Sequence, residues 1–222
     1  MYGLVVRVDE VLRARPWLVS GGKHAQRLMY VLLLMILFGA FYGAVMGSYG
    51  GGRVLQMLYS GIKVPLLFMA TFMLSLPSFF VINTLFGTRS DFAESLRALV
   101  ATQAGLTIIL AACAPFTAVW YVSFGSYSAA KMFNLLMFGI ATVAAQRLLR
   151  QFYQPLVQRN PRHRTLLRIW LVIFAFVGIQ MSWVLRPFIG DPHTATQFFR
   201  DQAWGNAYIE IGQTFWKMVS GS

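Results

Sequence analysis

The sequence is poor in charge, and above all in negative charge. Only 12% of its 222 residues are charged, and seven acidic residues stand against 19 Lys and Arg. Soluble globular domains carry roughly 25% charged residues, so this chain has too little polar surface to enclose a soluble core. Hydrophobic residues make up 57% of the chain, and the mean hydropathy is +0.59. These values predict an integral membrane protein.

Side chains that carry catalytic chemistry are also scarce. Cys113 is the single cysteine, so no internal disulfide can form. The three histidines are scattered over predicted termini and loops, without the spacing of a zinc motif or of a nucleophile with its base. The sequence therefore predicts no catalytic residue, no metal site and no cofactor, and we do not expect an enzyme.

No acidic residue falls within a predicted membrane span. Proton-coupled transporters and intramembrane hydrolases usually place an ionisable group at membrane depth, so this scarcity argues against both classes. The polar side chains predicted at that depth are mainly Asn83, Gln103, Asn134 and Gln180. Hydrogen bonds between helices are the favoured role for such residues, with substrate contact as the alternative.

Long apolar runs make up much of the sequence. Five of them are predicted to span the membrane, at about residues 28–49, 64–86, 98–124, 132–149 and 169–189. Each can cross ~30 Å of hydrocarbon as a helix. The amphipathic N-terminus (1–27) and the aromatic tail (190–222) are predicted to form interfacial helices. The fold class is therefore all-α, a single polytopic membrane domain over residues 1–222.

Positive charge is distributed unequally along this topology. Five spans place the termini on opposite sides, and most of the 19 Lys and Arg then fall on the N-terminal side. The positive-inside rule predicts a cytoplasmic N-terminus and an extracytoplasmic C-terminus, in what we expect to be a bacterial inner (plasma) membrane. The same bias accounts for the net charge of +12, so no nucleic-acid partner is predicted.

Two segments are candidate interaction surfaces. Arg159, Arg162 and Arg164, in the basic segment after the fourth span, could contact anionic lipids, each contributing about 1 kcal/mol near the surface. A topology signal explains the same arginines, and an acidic cytosolic partner is a further alternative. The tail is rich in aromatic residues, which suit either an interfacial helix or a partner surface. These residues are Phe198, Phe199, Trp204, Tyr208, Phe215 and Trp216.

The stretch QMSWVLRPFIGDP ends the fifth apolar run with a charge. Arg186 is predicted to snorkel to the interface, Pro187 to end the helix, and Asp191 to pair with Arg186. This ion pair would fix the exit of the span and direct the tail along the outer surface.

A row of small residues marks the first predicted span. Gly39, Gly43 and Gly47 recur four apart, which predicts a face that packs closely on another helix.

The stretch KVPLLFMATFMLSLPSFFVINTLFGTRSDFAESLRALVATQAGLTIILAACAPF resembles the Yip-domain membrane proteins, which have five spans and a cytoplasmic N-terminus. The resemblance rests on a span that begins near Pro65, on Gly87, on the pair Asp91 and Phe92, and on an amphipathic segment with Leu96. It covers about a quarter of the chain. The acidic-Leu-Tyr-Gly-Pro motif of the eukaryotic members is absent, so Rab binding is not expected. The resemblance implies a non-catalytic integral membrane protein.

Together these features favour a non-enzymatic scaffold or accessory subunit of a larger membrane complex. Its expected partners are membrane lipids and other membrane subunits or further copies of itself. A transporter or channel component is one alternative, because Pro77 and Pro115 could kink adjacent spans into a gate. A lipid-binding or lipid-remodelling protein is the other.

Overall fold

Most residues of the computed structural model, which describes residues 2–15, 24–51, 53–200 and 208–209, are helical. A 3₁₀ turn at Arg89–Asp91 precedes the fourth helix. The helices are α1 (Tyr2–Leu12), α2 (His24–Gly47), α3 (Val54–Leu85), α4 (Phe92–Ser123), α5 (Tyr127–Arg159) and α6 (Arg162–Val184). These residues include no strand, which confirms the predicted all-α class.

Five helices, α2 to α6, are long and apolar enough to cross a membrane. Their bounds differ from the predicted runs. Helix α3 begins at Val54, about ten residues early, so Pro65 lies inside the helix rather than at its start. Helix α5 extends in both directions to Tyr127 and Arg159. The predicted spans end where polar side chains begin, because hydropathy detects only apolar residues. The helices continue past those points, and polar side chains at their ends contact other parts of the chain.

The helices form an open arc in the order α5, α4, α2, α3, α6. Helix α2 packs between α3 and α4, while α5 packs chiefly on α4 and α6 chiefly on α3. Helices α3 and α4 run continuously through Pro77 and Pro115. The gate predicted from these prolines stays a prediction.

The glycine row on α2 contacts α3 of the same chain. A Cβ atom at Gly43 would lie 2.3 Å from the carbonyl oxygen of Ser60, and one at Gly47 would lie 2.7 Å from that of Gln56. Gly39 faces Pro65 at an ordinary contact distance of 3.5 Å. These two helices therefore approach closely because α2 lacks side chains there.

Ionic and polar contacts close the arc at the end where α5 turns into α6. Arg159 forms a bidentate ion pair with Glu94, with N–O distances of 2.6 and 3.2 Å. The fully buried His163 places Nε2 3.0 Å from Oδ2 of Asp91. Two of the arginines predicted to contact lipid thus meet the chain itself, since Arg162 also donates to the carbonyl of Phe86. Arg164 is exposed.

One face of helix α1 packs against α4, and another face is exposed. Val11 is buried at 1% exposure, whereas Leu4 and Val5 are exposed. Apolar side chains exposed beside charged ones are typical of a helix at a membrane surface.

Candidate functional site

The segment after α6, residues 185–200, is not helical and folds back over the open end of the arc. We call it the return segment. It lies against the first turns of α3, where Arg53, Gln56, Ser60 and Lys63 follow one another at intervals of three and four residues. That spacing places all four on one helix face. A polar face at this point explains why α3 extends beyond its apolar run.

These side chains donate hydrogen bonds to the backbone of the return segment. Lys63 Nζ lies 2.7 Å from the carbonyl oxygen of Pro187. Gln56 and Ser60 both donate to the carbonyl of Phe188, the former at 3.1 Å. From α5, the Tyr127 hydroxyl donates to Ile189 at 3.0 Å. Three successive carbonyls are therefore satisfied by side chains of other helices rather than by secondary structure.

Arg53 holds the next part of the segment. Its guanidinium donates to the carbonyls of Asp191 (2.6 Å) and Thr194 (2.7 Å), and to the hydroxyl of Thr196. Gly190 permits the close approach, since a Cβ there would lie 2.8 Å from Cδ of Gln56. The backbone of the return segment is thus fixed along most of its length.

Lys63 corrects the charge distribution expected from the sequence. The second predicted span begins at about residue 64 and leaves Lys63 outside it, but Lys63 is a fully buried residue of α3. A buried ammonium group is costly unless it is paired or hydrogen-bonded. Here the carbonyl of Pro187 accepts a hydrogen bond from it, and the ring of Phe198 lies 4.9 Å from Nζ.

A cleft of about 880 Å³ lies between α5 and α6 beneath the return segment. Its lower wall is apolar, formed by Met46, Leu67, Leu135 and Phe138. The ring of Phe138 packs on Phe68 and Tyr42, with centroid distances of 6.5 and 5.6 Å. Two other helices of the arc, α2 and α3, therefore stand behind the cleft.

The upper rim of the cleft is basic. Lys131, Arg186 and Arg200 line it, together with one carboxylate, that of Asp191. The guanidinium carbons of Arg186 and Arg200 lie 3.4 and 4.3 Å from the ring centroid of Trp183. The ring of Trp183 thus contacts two guanidinium groups at the mouth of the apolar cleft.

Asn134 joins the cleft wall to the neighbouring helices. Its amide nitrogen donates to the Tyr121 hydroxyl at 2.6 Å, and its amide oxygen accepts from Tyr42 at 3.0 Å. This buried network holds α2, α4 and α5 together, which is the interhelical role predicted for the polar residues of the spans.

Arg186 and Asp191 both line the cleft, and their ion pair stays a prediction. Asp191 Oδ1 accepts a hydrogen bond from the backbone of His193 at 2.9 Å. The sequence interpretation missed Lys131 and Arg200 as parts of the cleft rim, and it missed Lys63 as a contact of the return segment. For Lys63 one signal was available, the helical spacing from Arg53 to Lys63, which a hydropathy window conceals.

Part of the aromatic tail contacts its own chain. Phe198 packs edge-on against Tyr59 at 5.1 Å, and Tyr208 stacks on Phe176 at 4.2 Å. Phe199 is 42% exposed. Of the predicted partner surface, Trp204, Phe215 and Trp216 lie outside the described residues.

No family model, curated protein or solved structure matches this chain. The resemblance to Yip-domain proteins accordingly stays a prediction. Within residues 2–15, 24–51, 53–200 and 208–209, no three His, Cys, Asp or Glu side chains come together as metal ligands would.

Proposed function

We propose that this chain is a non-catalytic integral membrane protein that binds an anionic lipid in the cleft between α5 and α6. The headgroup would lie at the rim formed by Lys131, Arg186 and Arg200, and an acyl chain would lie against the apolar wall. In the orientation favoured by the charge bias, with the N-terminus in the cytoplasm, the cleft faces the outer leaflet.

The observation that supports this proposal is the ordering of polarity along the cleft. On α5, Lys131 is followed by Leu135 and Phe138 on the same wall. At 1.5 Å per residue these side chains lie about 6 and 10 Å further along the helix. A lipid presents the same order, with its charge at the surface and its hydrocarbon below.

The size and chemistry of the cleft agree with such a ligand. Its volume of about 880 Å³ falls in the range of small-molecule sites, roughly 300–1,000 Å³. Each buried methylene contributes about 0.8 kcal/mol, and each basic residue near an anionic headgroup about 1 kcal/mol. A chain that buried six methylenes would therefore gain about 5 kcal/mol from the apolar wall.

Filling the apolar wall tests the proposal. Leu135→Trp places an indole in the cleft, whereas Leu136→Trp changes the next residue, which is exposed and does not line the cleft. Native mass spectrometry would count the lipids that remain bound after mild detergent extraction. We expect one lipid fewer on Leu135→Trp than on the wild type or Leu136→Trp. Equal lipid counts on all three proteins would contradict the proposal.

An accessory subunit of a membrane complex is a second candidate. Only 11% of the most apolar stretch of α6 is buried within the chain. Val172 and Ile179 are exposed seven residues apart, so they share one face of α6, on which Tyr208 of the same chain covers part of Phe176. A partner helix could pack on that face. Isolation in mild detergent should then recover a stoichiometric partner or an oligomer, and a stable monomer without partners would contradict this role.

A further inference from the structure

We infer that the cleft is selective for a lipid whose headgroup is a phosphomonoester, and that Arg200 and Lys131 are the residues that select it. This inference rests on the proposed lipid binding and names the chemical class of the headgroup. Four features of the rim support it.

The first feature is the hydrogen-bonding edge of Arg200. Its Nε and Nη2 atoms are shielded from water and have no hydrogen-bond partner among the described residues. These two nitrogens form one edge of the guanidinium, with parallel N–H bonds that match two oxygens of a phosphate. Buried donors without acceptors are costly, so an arriving phosphate would recover that free energy.

The second feature is the crowding of positive charge on Trp183. The guanidinium carbons of Arg186 and Arg200 lie within 3.4 and 4.3 Å of the same ring centroid. Stacking on the ring holds each guanidinium plane, but the two like charges repel each other. An anion bound beside them relieves this repulsion and meets side chains that are already oriented.

The third feature is the charge balance of the rim. Lys131, Arg186 and Arg200 contribute three positive charges, and Asp191 contributes one negative charge. A phosphomonoester carries about −1.5 to −2 at pH 7, and a phosphodiester carries a single charge. The doubly charged group therefore matches the excess of positive over negative charge better.

The fourth feature is the position of Lys131. It lies in the first turns of α5, is exposed, and places Nζ 4.5 Å from the ring centroid of Tyr127. A phosphomonoester has three terminal oxygens. Two can accept the fork of Arg200, which leaves one for the ammonium of Lys131. A phosphodiester lacks this third oxygen.

Competition among lipids of equal chain composition tests the inference. The purified full chain would be titrated with dioleoyl phosphatidate, dioleoyl phosphatidylglycerol and dioleoyl phosphatidylethanolamine, and separately with inorganic phosphate, with binding read by native mass spectrometry. We expect phosphatidate to bind roughly tenfold more tightly than phosphatidylglycerol. Phosphatidylethanolamine should be the weakest of the lipids, and inorganic phosphate should not displace phosphatidate at millimolar concentration.

Two variants and one control identify the selecting residues. Arg200→Lys keeps the charge but removes the fork, and Lys131→Gln removes an exposed charge with little risk to folding. Each should reduce the preference for phosphatidate over phosphatidylglycerol to roughly twofold. Arg150→Gln removes an exposed charge from the other end of α5 and should leave the preference unchanged.

The outcomes separate this inference from the proposed function. Equal affinity for phosphatidate and phosphatidylglycerol, with binding still lost in Leu135→Trp, would overturn the headgroup class and leave lipid binding intact. Displacement of phosphatidate by inorganic phosphate would also overturn it, because the site would then recognise free phosphate. Lipid binding that Leu135→Trp does not affect would overturn both. Preference retained in Arg200→Lys and Lys131→Gln would overturn the assignment of these residues.

Discussion

Replacing Lys63 with methionine should weaken the contact of the return segment with α3. The change removes a 2.7 Å hydrogen bond to the carbonyl of Pro187 and the contact with the ring of Phe198. A hydrogen bond to a charged group contributes about 1.5–3 kcal/mol, and a cation–π contact of a desolvated ammonium up to about 2 kcal/mol. Methionine fills a similar volume without the desolvation cost of a buried charge, which offsets part of the loss.

We expect a net loss of about 2 kcal/mol in the local stability of the return segment. That corresponds to roughly a 30-fold increase in its opening equilibrium, since 1.4 kcal/mol is a factor of ten. Gln56, Ser60, Tyr127 and Arg53 still hold neighbouring carbonyls, so the helices themselves should remain folded. The opening is therefore local rather than global.

Hydrogen exchange measured by mass spectrometry on peptides covering residues 185–200 would detect this opening. Arg150→Met is the matched control, because Arg150 is an exposed basic residue near the C-terminal end of α5, away from the return segment. Exchange in the return segment should accelerate in Lys63→Met and stay at the wild-type rate in Arg150→Met. Wild-type exchange in Lys63→Met would refute the reasoning, because the segment would then be held without the buried ammonium. Faster exchange in every helix would refute it as well.

Three further predictions concern the packing, the polar end and the orientation. Gly43→Ala should destabilise the chain by about 1–3 kcal/mol in denaturant unfolding, since its Cβ would overlap the backbone of α3, whereas Gly139→Ala, with open space around it, should not destabilise it. Equal stability of the two variants would contradict the close contact of α2 and α3. Asp91→Ala should cost about 1–3 kcal/mol, because it removes the partner of the buried Nε2 of His163; unchanged unfolding would show that this pair contributes nothing. A cysteine introduced as Ser222→Cys should react with an impermeant maleimide in intact cells, and labelling only after lysis would reverse the proposed orientation.

The basic arginines after the fourth span show why composition alone does not assign a lipid site. Arg159, Arg162 and Arg164 are equivalent in sequence, as exposed cations near a predicted interface. In the fold, Arg159 pairs with Glu94 and Arg162 reaches the carbonyl of Phe86, so both contribute to closing the arc. The basic cleft rim lies instead at the opposite end of α5 and α6, where three cations adjoin an apolar wall.

The all-α fold with five membrane-length helices could be predicted from the sequence alone. Membrane-length apolar helices are a local property, readable over about twenty residues at a time, because the bilayer core sets both their length and their polarity. The five helices long and apolar enough to cross a membrane, and the absence of strands in the described residues, confirm the all-α class. The close-packing row on α2 was readable for the same reason, since it depends only on residue size and on helical spacing.

Only the tertiary structure decided which charged side chains come together and which are buried. Lys131 lies near the start of α5, and Arg186 lies just after the end of α6. They line the same rim only because α5 and α6 lie on either side of one cleft. Lys63 lies just outside the second predicted span, yet it is buried where the return segment supplies a carbonyl. The free energy of a buried charge depends on groups that lie far away in sequence. The sequence therefore predicted five membrane-length helices, and the fold placed the candidate site.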